Sequence, residues 1–77
     1  MKGYKMAHRI WTKKMEKCCP RCGSDEIRLA TYHFGATTIA ECAKCSFGKV
    51  SADNEDMATA RWLGSYYEYK EYKLRIN

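Results

Sequence analysis

Proline is almost missing from this chain: Pro20 is the only one in 77 residues, and the five glycines stand singly. A linker needs runs of such residues, so the composition points to one domain without an internal tether. Long hydrophobic runs are missing too. No apolar stretch of about 7–15 residues follows the basic N-terminus, so no secretory leader is expected. No segment approaches the roughly 20 apolar residues that span a bilayer. The expected location is the cytoplasm, where thiols stay reduced. Catalytic signatures are equally scarce. There is no nucleophile elbow, no phosphate-cradling glycine loop and no HExxH helix, so an enzyme is not expected.

Cysteine is plentiful, but its five copies are an odd number for a disulfide framework. Cys19-Pro20-Arg21-Cys22-Gly23 and Cys42-Ala43-Lys44-Cys45 form two Cys-x-x-Cys turns with 19 residues between the inner members. That spacing predicts a four-thiolate metal site, because each turn points two sulfurs the same way and two turns complete a tetrahedron. The expected ligands are Cys19, Cys22, Cys42 and Cys45, holding one structural Zn2+. Four thiolates fill the coordination shell and leave no position for water, so a redox or hydrolytic role is not expected. Iron, as in a rubredoxin, is the alternative metal. Cys18 competes with Cys19 for the first position; the two-residue gap and the Pro-x-Cys-Gly continuation favour Cys19 and leave Cys18 as a small hydrophobe or an idle thiol. His8 and His33 enter only if a cysteine drops out. A chain this short gains little net stability from its core alone, so the metal is expected to hold the fold.

Charge is unevenly placed. Lys2, Lys5, Arg9, Lys13, Lys14 and Lys17 face one acid, Glu16, within residues 1–17, whereas the remaining sixty residues hold eight basic and eight acidic side chains. The net +5 therefore belongs to a basic N-terminal arm, 1–17. Tyr4, Ala7/His8, Trp11 and Met15 recur there at three- and four-residue steps, so a short amphipathic helix is possible.

Residues 18–52 read as a small zinc ribbon. Glu26–Tyr32 alternates as a strand, His33-Phe34-Gly35-Ala36 turns, and Thr37–Glu41 returns as a second strand. Phe47–Ser51 is a short third strand. Ser46 stands after Cys45, where glycine is often found. Residues 53–77 read as a helix with an aromatic tail: Ser51 or Asp53 is the expected N-cap, Glu55 and Asp56 suit the helix dipole, and Gly64-Ser65 ends or bends the helix. The fold class is thus small α+β, an antiparallel hairpin with a third strand and two Cys knuckles, followed by a helix. Trp62, Tyr66, Tyr67, Tyr69 and Tyr72, with Lys70, Lys73 and Arg75 interleaved, are candidate binding residues for a protein or for bases, together with Lys5, Arg9, Trp11, Lys13, Lys14 and Lys17 of the arm.

Cys19-Pro20-Arg21-Cys22-Gly23-Ser24, the hairpin, Cys42-Ala43-Lys44-Cys45 and Asn54–Trp62 together resemble the Lar-type restriction-alleviation proteins of phages and prophages. The resemblance covers about residues 17–63. It implies a phage-type zinc protein of the host cytoplasm that modulates host restriction-modification or transcription machinery through protein contact. The cysteine turns are also similar to the zinc module of phage primases, which recognises single-stranded DNA. Nucleic-acid binding through residues 1–17 is therefore the alternative to a host-protein partner, and neither a membrane nor a small-molecule substrate is expected.

Overall fold

The computed structural model describes residues 7–76. Four strands form one antiparallel sheet in chain order: β1 (Arg9–Lys14), β2 (Glu26–Tyr32), β3 (Thr37–Cys42) and β4 (Val50–Ala52). One helix follows, α1 (Glu55–Ile76). The small α+β class and the two knuckles are as the sequence implies, but the sheet has one strand more. The helix considered within residues 1–17 is instead β1 over Arg9–Lys14. Trp11 and Met15 fit a four-residue step, yet they also share a face at period two, and β-branched Ile10 and Thr12 around Trp11 favour a strand. Tyr4 and Lys5 lie outside the described residues.

Register divides the side chains between two faces. Trp11 pairs with Leu29 and Leu29 with Ala40; Lys13 pairs with Ile27 and Ile27 with Cys42. Ile27, Leu29, Ala40 and Cys42 are fully buried and join Ala52, Ala58 and Trp62 in the core, because α1 packs on this face over β3 and β4. Nothing among the described elements covers the opposite face. There Ile10, Ala30, Ile39 and Ser51 form a row, beside the pair Arg28–Glu41.

The third strand of the ribbon begins later than Phe47. The Phe47 carbonyl accepts the Trp62 Nε1–H at 3.0 Å, and also the Cys42 N–H, while Gly48 takes φ +72°. That turn delays pairing until Val50. A side chain at Gly48 would meet the Trp62 indole at 3.0 Å, so the glycine admits the tryptophan. The helix is capped by Asn54, not by Ser51 or Asp53: its Oδ1 accepts the Met57 N–H at 2.9 Å. Gly64-Ser65 does not end α1, since the helix runs on to Ile76.

The hairpin joining β2 and β3 is unusual. Tyr32 and His33 carbonyls accept from Gly35 and Ala36 N–H, both at 3.1 Å, and His33, Phe34 and Gly35 all have positive φ, at 55°, 58° and 89°. Mirror-image turns suit the twist of hairpins, but their left-handed positions favour Asn and Gly. Here a histidine and a phenylalanine carry the strain.

Candidate metal centre

The two Cys turns adopt the same local structure, one hydrogen bond at a time. The Cys19 N–H donates to the Ser24 carbonyl at 2.7 Å, as the Cys42 N–H does to Phe47 at 2.9 Å. Gly23 N–H returns to the Cys19 carbonyl at 2.9 Å, as Ser46 N–H does to Cys42 at 3.0 Å. Arg21 and Lys44 N–H each donate to the first sulfur of their turn at 3.4 Å. The fifth residue is left-handed in both, Gly23 at φ +83° and Ser46 at φ +65°. β2 and β3 bring the turns together at one end of the sheet, where the Ile27–Cys42 pairing aligns them.

The four sulfurs of Cys19, Cys22, Cys42 and Cys45 lie within 4.8 Å of one another. Two cross-turn separations are 3.6 Å (Cys19–Cys45) and 3.5 Å (Cys22–Cys42). A disulfide is about 2.05 Å long, whereas sulfurs around a tetrahedral ion at about 2.3 Å stand about 3.8 Å apart. The cluster therefore has the dimensions of a metal site. Cys19 belongs to it, and Cys18 stands exposed outside it. His8 and His33 lie at the opposite end of the sheet, beside and within the hairpin.

Electrostatics favour a cation. Burial opposes ionisation of Cys42, but the Cys45 and Lys44 N–H groups and the Cys22 and Cys45 thiols bond to its sulfur and lower it from 9.0 to about 7. At Cys45 burial raises the thiol, against one opposing bond from the Phe47 N–H, and its bonds with Cys22, Cys19 and Cys42 push it up to about 12. Cys42 is thus the readier thiolate and Cys45 the held thiol, and a cation at the centre would displace thiol protons. The N–H donors to the Cys19 and Cys42 sulfurs would then stabilise thiolate charge.

The other candidate residues separate into two groups. Trp62 is withdrawn from any binding role: it is buried, with its indole bonded to Phe47. Tyr66 stacks on Trp62 with centroids 6.3 Å apart, and Tyr69 sits edge-on to Phe47 at 5.4 Å, so both serve mainly to pack. These aromatics had helical spacing, and spacing alone cannot distinguish a buried stripe from a presented one. Trp11 is half-buried with the Arg9 guanidinium 4.2 Å from its ring centre. Lys13 pairs with Glu55 at 3.3 Å and Lys14 with Asp25 at 3.6 Å; Lys17 is exposed. Lys5 lies outside the described residues. Between the 13–17 segment and α1 runs a cleft of about 320 Å³, to which Met15, Thr59, Leu63 and Tyr67 contribute. Sequence reasoning singled out Met15 and Tyr67 but not Thr59 or Leu63, and did not bring the four together; the i, i+4 row 59–63–67 on the helix was the available signal.

No helix among the described residues is long and apolar enough to cross a membrane. No protein-family model, curated protein or solved structure matches the chain, so the reading of its site rests on the geometry above.

Proposed function

We propose that the chain is a non-enzymatic zinc ribbon: one structural Zn2+ held by Cys19, Cys22, Cys42 and Cys45 fixes the fold, and the folded surface binds another protein. Zinc accords with a closed tetrahedral set of four thiolates, which offers no coordination position to a substrate. The Lar-type resemblance makes the partner a host restriction-modification or transcription component.

The observation that carries the protein-binding reading is Phe34. This phenylalanine is 95% exposed at the hairpin tip, in a left-handed backbone conformation that costs roughly 1–2 kcal/mol for a residue with a Cβ. It adjoins the uncovered sheet face, where Ile10 is 61% exposed and Tyr32 and Ile39 are half-buried. Charge on that face is already matched, since Arg28 bonds Glu41 through both Nε and Nη2 and also reaches the Ala43 carbonyl. An apolar surface ending in a strained aromatic knob suits a hydrophobic recess on a protein.

The test exploits the strain. Phe34→Gly should raise thermal stability, because glycine accepts the turn, while abolishing capture of a mass-spectrometrically identified host protein that the unaltered chain retains at moderate salt. Equal capture by both forms would contradict the reading. Metal analysis of the same preparation should give one zinc per chain in colourless protein; a red, iron-loaded protein would replace zinc with the rubredoxin alternative.

A further inference from the structure

We infer that the cleft between the 13–17 segment and α1 is a single-stranded nucleic-acid site, separate from the hairpin surface. Lys13, Lys14 and Lys17 stand on one wall, and Met15, Leu63 and Tyr67 supply apolar and aromatic surface. Tyr67 is 55% exposed beside its edge-on contact with Tyr66 at 5.0 Å, which leaves ring surface for a base. Thr59, in the same helical row as Leu63 and Tyr67, completes the lining.

Charge selects an anionic occupant. Glu16 is the one acid on the lining. The pairs Lys13–Glu55 and Lys14–Asp25 are open to solvent, with the Lys14 side chain 76% exposed, and such pairs are weak enough for a phosphate to displace the carboxylate. Lys17 has no ion-pair partner among the described residues. Two further cations stand over rings elsewhere: Arg9 over Trp11, and Lys70 at 5.8 Å from the Tyr66 ring centre. Cationic side chains interleaved with ring faces are what a single strand requires: the chain of phosphates follows the charges, and unstacked bases lie on the rings. The exposed Tyr67 ring favours a single strand over a duplex, whose bases are already paired and stacked on one another. An acidic protein segment would use the lysines but would leave the ring of Tyr67 without a stacking partner.

Fluorescence anisotropy of the full-length, metal-loaded chain with fluorescein-labelled dT20 tests this. Three neutralised phosphates predict a slope of roughly −2 in log affinity against log salt, about a 16-fold loss between 50 and 200 mM. Tyr67→Ala should weaken binding about tenfold through lost stacking. Lys17→Glu should weaken it by several-fold and flatten the salt slope. Both residues are exposed, so circular dichroism of the variants should match the parent. Phe34→Gly, at the far end of the sheet, should leave the affinity within twofold. Absence of binding at 50 mM salt overturns the inference without touching the protein-binding reading, which Phe34→Gly tests by itself. Equal affinity for a dT20–dA20 duplex, equal competition by polyglutamate, or indifference to both cleft variants overturns it as well.

Discussion

The two Cys turns differ at one informative place, and exchanging the residues there is a decisive perturbation. Gly23 and Ser46 occupy the same position, each left-handed, each donating its N–H to the carbonyl of the first cysteine in its turn. A serine at φ +65° bears roughly 1–2 kcal/mol of steric cost that glycine does not. Glycine returns part of the gain by widening the unfolded ensemble, by about 0.4–1 kcal/mol. Ser46 is exposed, and its side chain makes no hydrogen bond among the described residues, so nothing else is lost. Ser46→Gly should therefore stabilise the protein by about 0.5–1 kcal/mol, or about 2–8 °C in Tm for a domain of this size. The reciprocal change, Gly23→Ser, should lower Tm by a similar amount: no atom lies within 4 Å of a Cβ built at Gly23, so backbone conformation alone sets the cost. Differential scanning calorimetry at fixed free zinc measures both, with the metal content of each variant checked at one equivalent. If Ser46→Gly destabilised the chain, or Gly23→Ser had no effect, the equivalence of the two turns would be wrong.

Metal binding should depend steeply on pH. Thiolates are the ligands, so affinity falls as pH falls. With Cys45 raised to about 12 and Cys42 lowered to about 7, zinc must displace the Cys45 proton at any ordinary pH and the Cys42 proton increasingly as pH falls below 7, so proton release per zinc should rise as pH falls. Calorimetric titration in buffers of different ionisation enthalpy measures that release, and one that stayed level as pH fell, or was absent, would contradict a four-thiolate site. Cys18→Ser should keep one zinc per chain, whereas Cys22→Ser, equally exposed, should lose tight binding; chelator competition distinguishes them. Trp62→Phe removes the bond to the Phe47 carbonyl and leaves space in the core, at about 1–3 kcal/mol in denaturant unfolding. Gly48→Ala should cost about 2–4 kcal/mol, because it combines a left-handed alanine with a contact at 3.0 Å to the Trp62 ring; a neutral result would mean that the indole is not seated there.

The metal site was legible from spacing because ligand chemistry is local: two short turns with fixed internal geometry need only a hairpin to bring them together. The choice of Cys19 over Cys18 followed from the same local rule. β2, β3 and the existence of a helix could be read from alternation and from the acids at its first turn. β1 could not, because six residues around Trp11 satisfy periods of two and of nearly four, and only pairing with β2 decides between them. The helix start shifted to Asn54, whose Oδ1 accepts the Met57 N–H, because several capping residues stand in a row and helix boundaries read from sequence are good only to one or two residues. Trp62 was mistaken for a presented aromatic since its burial depends on Gly48, fourteen residues earlier, leaving room for the indole. The cleft is built from segments 13–17 and 59–67, whose meeting no local pattern announces.

Zinc K-edge X-ray absorption on the purified protein bears most directly on the central claim. Four sulfurs at about 2.3 Å and no nitrogen or oxygen in the inner shell is the predicted result. An inner shell with fewer sulfurs, or a folded protein with no zinc edge at all, would contradict it.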